Sequence, residues 1–300
     1  MRIKRGVSMR KQGWWGFCFT LPFVLQLAVF FFFPFVFSFY LTFTKWDLFN
    51  PPAWVGLRNW IQMFQNNVFW LSLRNVFYFA LLFVPLQTIV ALLLAYLLNQ
   101  QIRGKSLYRM VYFLPVITPW VAGGLIWLWI YNSEFGILNW VLNGLGLDSV
   151  KWVTSDKWWL VIGSIAVVNI WKGAGYSMVL LLAGMQSISK ETVEAARMDG
   201  ANGWTFFTKI TVPIVSPMVY MTMILSTIAA FHAFDVFLVM LGDINAVHDR
   251  NMVPNILIYR DAFLNAKMGT ASAWSWGLFA VILLVTLFQK KMEKRWVHYE

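Results

Sequence analysis

The sequence predicts an all-α membrane protein of six transmembrane helices with one patterned cytoplasmic loop. Three observations carry this. Of 300 residues, 59% are hydrophobic and only 12% are charged, against roughly 25% charged in a soluble domain. Several apolar runs reach the roughly 20 residues that cross a bilayer as a helix. None shows the short alternating segments of a barrel strand.

Taken in order, the first span is expected at about 15–43. Arg2, Lys4, Arg5, Arg10 and Lys11 precede it, as in a signal peptide. The run is too long for a signal core of roughly 7–15 residues, and no small-x-small site closes it. It reads as an uncleaved helix. Its Cys18 is the only cysteine of the chain, so no intrachain disulfide or cysteine metal cluster is available.

The second span is expected at 76–98 with Pro85 inside, and the third at 110–130 with Pro115 and Pro119. The fourth is expected at 159–185, the fifth at 212–240 with Pro217, and the sixth at 270–288. Membrane helices tolerate proline because neighbours re-satisfy the freed carbonyls. Arg74 sits near the outer end of the second span and reads as a snorkelling side chain. Trp14, Trp15, Trp46, Trp158, Trp159 and Trp296 fall at span ends, as an interfacial belt does. The whole chain, 1–300, reads as one membrane domain.

The net charge is +11. The basic residues lie in short loops and tails rather than on one soluble face, which excludes a nucleic-acid partner. They sort by side. Fifteen Lys and Arg fall with the two termini, in the tails and the loops at Arg103–Arg109 and Lys190–Lys209; seven fall opposite. The positive-inside rule puts both termini, and the loop 187–211, on the cytoplasmic side of the membrane.

That loop carries Glu194-Ala195-Ala196-Arg197-Met198-Asp199-Gly200, then Ile210-Thr211-Val212-Pro213. Ser189 is placed to cap a short helix with Glu191 in its first turn, where the helix dipole favours an acid. Ala195 and Ala196 keep one face small for a close partner. Gly200 suits a left-handed helix stop. A second helical piece follows at about 203–210, with Trp204, Phe206 and Phe207 as apolar anchors, and Pro213 opens the fifth span. A plain surface loop helix does not account for the full spacing.

The spacing E-A-A-x3-G-x9-I-x-[LV]-P resembles the coupling loop of ABC importer permeases. Other stretches are similar to the carbohydrate-type, MalF/UgpA-like branch. These are Trp54-Val55-Gly56-Leu57-Arg58-Asn59-Trp60, Val84-Pro85-Leu86-Gln87, Phe113-Leu114-Pro115 and Gly136-Ile137-Leu138-Asn139. Leu241-Gly242-Asp243-Ile244-Asn245-Ala246 departs from the T-x-G-G-P of many relatives. The resemblance implies a type I importer fold and an assembly. Its members are a second permease subunit, two ATPase subunits and an extracytoplasmic substrate-binding protein that delivers a sugar or oligosaccharide. Glu194, Ala195, Ala196, Asp199, Gly200, Ile210 and Pro213 would form the ATPase-coupling element.

The chain has no G-x-x-x-x-G-K-[ST] loop to hold ATP phosphates. No cofactor or metal is expected on it; ATP and magnesium belong to the ATPase, and the chain is not itself an enzyme. Polar residues inside spans are costly and usually face a water-filled path. The fourth span offers Asn169, Lys172, Gly173 and Tyr176; the fifth offers Ser226, His232 and Asp235. The resemblance places Asn169, Lys172, Gly173, Tyr176 and Ser226 where maltose-type relatives line the substrate site. Lys172, Ala229, Ala230 and Ala233 differ from a maltose site, and Lys172 suits an anionic solute such as an acidic sugar. Lys172 and Asp235 also suit a structural ion pair. The alternative function is an ion-coupled secondary carrier using Asp235 or His232, which leaves the loop unexplained and lacks paired broken helices. An intramembrane enzyme lacks its H-E-x-x-H, G-x-S-x-G or aspartate pair.

Overall fold

Long apolar runs satisfy their own backbone in lipid by coiling into helices. In the computed structural model, which describes residues 9–297, they do so. Arg2, Lys4 and Arg5 lie outside the described residues. Four helices are long and apolar enough to cross a membrane: α1 (Trp14–Leu41), α3 (Asn67–Asn99), α7 (Trp158–Gln186) and α13 (Met268–Trp296). Two more spans are bent pairs, giving six when each pair counts once.

The third span is α4 (Lys105–Ile117) followed by α5 (Trp120–Ile130), bent by 100°. This corrects the expectation of one helix over 110–130. Pro119 has no N–H to continue the ladder, and its ring drives the preceding residue out of the helical region. Thr118 is extended, with φ −68° and ψ 130°. The fifth span is broken twice. The loop helix α9 (Gly203–Ile214) bends by 68° into α10 (Ser216–Phe231). Pro217 sits in the first turn of α10, where its missing N–H is no loss. After α10 the backbone is irregular at His232–Phe234, and α11 (Asp235–Leu241) resumes the path. The expected single helix over 212–240 is therefore three pieces: the end of α9, α10 and α11.

α7 and α3 form the central pair, with α10 packed on α3. Small residues on α7 let neighbours close in, as in other membrane bundles. A Cβ at Gly175 would strike the backbone carbonyl of Tyr112 on α4, and one at Gly173 would strike the Gln87 amide of α3. Two apolar clusters fill the interior. One joins Phe79, Phe83, Ile162, Ile165, Phe231 and Phe237. The other joins Ala91, Ala95, Met178, Leu181, Met185 and Phe207 near the loop between α7 and α10. α1 stands apart: 6% of its apolar window is buried, against 56% for α7. Cys18 on it is exposed.

Asparagines fasten the connections. Strands β1 (Thr44–Lys45) and β2 (Ala53–Trp54) form a small antiparallel hairpin, followed by α2 (Arg58–Gln65). Asn59 of α2 donates to the carbonyls of Thr42 and Thr44, at 2.9 and 2.8 Å. Asn75 donates to those of Arg250 and Met252, at 2.7 and 2.8 Å. Asn139, on the short α6 (Ile137–Gly144), accepts from the Val150 N–H and the Trp152 indole and donates to three carbonyls. Arg74, read as snorkelling, stays exposed and lies 3.9 Å from the ring centre of Trp158. The loop with Leu241–Ala246 turns at Gly242, φ 72°, into one short 3-10 turn capped by Asp243.

Candidate solute cavity and coupling loop

α7 carries Asn169, Lys172, Gly173, Tyr176 and Ser177 over two turns, so several share one face. That face, α10, the irregular stretch after it and the start of α11 enclose a cavity of about 330 Å³. All seven residues singled out in the spans line it: Asn169, Lys172, Gly173, Tyr176, Ser226, His232 and Asp235. Ala229 and Ala233 line it with small side chains. A larger cavity, about 560 Å³, lies between the β-hairpin loop, α2 and the start of α13; none of the seven lines it.

Gln87 is the residue the sequence reading passed over. In the sequence it stands only at the end of a family-like stretch of the second span. Its amide donates to the Ser177 hydroxyl at 3.0 Å and the Ser226 hydroxyl at 3.1 Å, tying α3, α7 and α10 together at the cavity wall. The absent side chain of Gly173 makes its room. The signal was available: a glutamine in the middle of an apolar span needs partners in other helices.

Lys172 is placed differently from either expectation. It is buried and makes no pair with Asp235; among the described residues the ion pairs are Arg250–Asp156 at 2.8 Å and Arg260–Asp249 at 3.3 Å. Its ammonium donates to the carbonyls of Pro115 at 3.1 Å, Val116 at 3.4 Å and Thr118. These carbonyls lie at the break before Pro119, and that of Pro115 also accepts from the Thr118 N–H at 3.3 Å. The Trp120 ring covers the ammonium at 4.7 Å. The second break has its own cap. Asn255, at the start of α12 (Pro254–Tyr259), donates to the carbonyls of Phe231 and Ala233, at 2.9 and 3.3 Å. His232 and Asp235 are exposed to the cavity rather than packed away.

The loop after α7 forms α8 (Lys190–Met198). The Ser189 hydroxyl accepts from the Thr192 N–H at 3.2 Å. The Glu191 carboxyl, fully exposed, lies below its ordinary value because its own backbone N–H and the Ser189 hydroxyl bond to it. Asp199 is the C-cap. Gly200 takes φ 76°, and the N–H groups of Gly200 and Ala201 bond back to Arg197 and Ala196, which is a Schellman stop. Asn202 then caps α9 through the Thr205 N–H at 2.8 Å. Glu194, Ala195 and Asp199 are exposed, while Ala196 is buried against its own chain. Ile210 and Pro213 are half-buried on α9, so Pro213 lies inside the loop helix rather than opening the span. Phe207 is buried on Tyr96, ring centres 4.5 Å apart, and Phe206 is half-buried. The large apolar side chains left on the surface are Met198, 87% exposed, and Trp204, 70% exposed.

Known proteins resemble this chain throughout. Residues 87–298 match the family described as the binding-protein-dependent transport system inner membrane component. A probable ABC transporter permease protein, YesP of Bacillus subtilis, is 34% identical, covering 99% of this chain and 96% of the relative. The trehalose/maltose transport system permease protein MalF of Thermococcus litoralis is 31% identical over 76% of this chain and 77% of its own. A bacterial ABC transporter involved in the import of the acidic polysaccharide alginate has a chain of the same fold, with TM-score 0.81 at 23% identity, covering 95% of this chain and 96% of that one. The chain belongs to the family of binding-protein-dependent transport system inner membrane components, as an ABC-transporter permease subunit of the carbohydrate-uptake type.

Proposed function

We propose that this permease translocates a sugar or oligosaccharide through the cavity between α7, α10 and α11, and that the α8–α9 loop couples the movement to ATP hydrolysis. One observation carries the reading. The polar and small residues of two separate spans surround one cavity, and α7, which supplies most of them, runs directly into the Glu194 loop. Sugar-binding sites combine hydrogen-bonding side chains with exposed rings; here Asn169, His232 and Asp235 stand with Tyr176, which is 50% exposed.

In this reading an extracytoplasmic binding protein delivers the solute. Two ATPase subunits and a second permease complete the complex, and both termini face the cytoplasm. Glu194 pairs with a basic residue of the ATPase. Met198 and Trp204 fill its surface cleft, while the stops at Gly200 and Asn202 hold α8 at a fixed angle to α9. Closure of the ATPase pair then moves α8, and with it α7 and the cavity wall.

The test is purification of the chain from its native membrane in mild detergent, with partners identified by mass spectrometry. A P-loop ATPase and a second permease are expected with the wild-type chain, and the ATPase is expected to be lost with Glu194→Lys. Recovery without any ATPase in either form removes the coupling reading. An ion-coupled carrier working through Asp235 or His232 then takes its place.

A further inference from the structure

We propose that the cavity takes an uncharged, hydroxyl-rich solute, and that Lys172 is a positioning residue withheld from it. This rests on the cavity being the solute path.

An ammonium has three N–H donors and no acceptor. Those of Lys172 are directed at the carbonyls of Pro115, Val116 and Thr118. These carbonyls lie at the broken end of α4, where Pro119 brings no N–H of its own and the Pro115 carbonyl also accepts from the Thr118 N–H at 3.3 Å. A carboxylate or phosphate that recruited the ammonium would have to strip it from them, and a buried acceptor left unpaired is costly. Lys172 therefore spends its charge on the broken end of α4. It holds that end, and the Trp120 ring beside it, against the cavity.

The groups left for a solute are of another kind. The side chains of Asn169, Tyr176, His232 and Asp235 line the cavity, and none has a hydrogen bond or ion pair to another described residue. Together they offer an amide, a phenol, an imidazole and a carboxylate. The amide, phenol and imidazole can each both give and take hydrogen bonds, and the carboxylate only accepts. That set matches hydroxyl groups, which do both. A solute anion would meet the Asp235 carboxylate, and like charges at close range repel. The exposed Tyr176 ring gives a flat face for the apolar side of a sugar ring. The wall contributed by this chain thus favours neutral sugars over uronic acids and phosphorylated polyols.

The test uses the complex isolated with its partner subunits in lipid nanodiscs. Tryptophan fluorescence is titrated with maltotriose as the neutral probe and trigalacturonate as the acidic one. Maltotriose is expected to bind at least tenfold more tightly. Asp235→Asn is expected to narrow that gap to less than threefold. Lys172→Met is expected to weaken both probes by the same factor, with recovery in Lys172→Arg. Tighter binding of trigalacturonate to the native complex overturns the proposal. So does a Lys172→Met variant that loses the acidic probe alone, since that is the behaviour of an anion receptor. Quenching by neither probe in the native complex overturns the sugar-path reading itself, and this proposal with it.

Discussion

At the scale of single residues, the chain uses buried amides as fasteners. Asn139 satisfies the Val150 N–H and the Trp152 indole at 3.0 and 3.2 Å, and its own amide closes the loop before α6. Asn139→Ala leaves donors without acceptors, at roughly 1–3 kcal/mol for each that stays buried. A lower unfolding midpoint in detergent is expected, measured by tryptophan emission, with partner binding at the α8 loop retained. Such fasteners are only half legible in a sequence. Asn139 was visible as part of a family-like stretch, but its partners lie up to thirteen residues away in an irregular loop, where no period reveals them. Gln87 shows the same limit: the residue type announced a need for partners, and only the packing of three helices named Ser177 and Ser226. Burial misled for Ala196 and Phe207. The sequence pattern predicts both as partner-facing, and both turn inward, because the short loop helices also need an apolar face against their own chain.

At the scale of elements, ends were easier to read than bends. The Ser189 cap and the Gly200 stop follow from residue chemistry, and the structure forms both. Gly200→Val forces a branched side chain into left-handed backbone, at roughly 1–2 kcal/mol. The amides of α8 are expected to exchange with deuterium about tenfold faster, since about 1.4 kcal/mol of local stability is a factor of ten. Ser189→Ala should act in the same direction, removing about 1 kcal/mol of capping. Hydropathy does not reveal the broken third and fifth spans, because it is blind to direction: a helix and two half-helices at 100° have the same composition. The prolines carried the information, but Pro85 stays within α3 while Pro119 ends α4. At Pro119 the ammonium of Lys172 donates to the carbonyls of Pro115, Val116 and Thr118. Pro119→Ala restores an N–H and is expected to open the angle between α4 and α5. Spin labels at Tyr108 and Trp129, both exposed, in a Cys18→Ser background would report a longer distance. An unchanged distance would show that Lys172 and the packing hold the bend without the proline.

At the scale of the whole molecule, the six-span class was legible from composition and run length, because lipid leaves the backbone few options. The family was legible from the order of its stretches along the chain. The cavity was legible as a set of costly polar residues in two spans, though not as a volume; its shape depends on Gln87, Asn255 and the two breaks. The chain carries no phosphate-binding loop. Reconstituted alone in proteoliposomes, it is expected to show neither ATP hydrolysis nor ATP-dependent sugar uptake, and both are expected to return when its partner subunits are added. Uptake by the lone chain that followed a proton or sodium gradient would instead favour the carrier reading.

The attachment of Lys172 to the end of α4 turns α7 into a lever arm. Lys172 lies fourteen residues before Gln186, where α7 meets the loop. At 1.5 Å per residue that is about 21 Å, so a tilt of about 10° pivoting at Gln186 swings the ammonium through about 3.6 Å. A hydrogen bond tolerates only a few tenths of that before it fails. The end of α4 must therefore travel with α7 or let go of it, and a small rotation at the loop has only those two outcomes at the cavity wall.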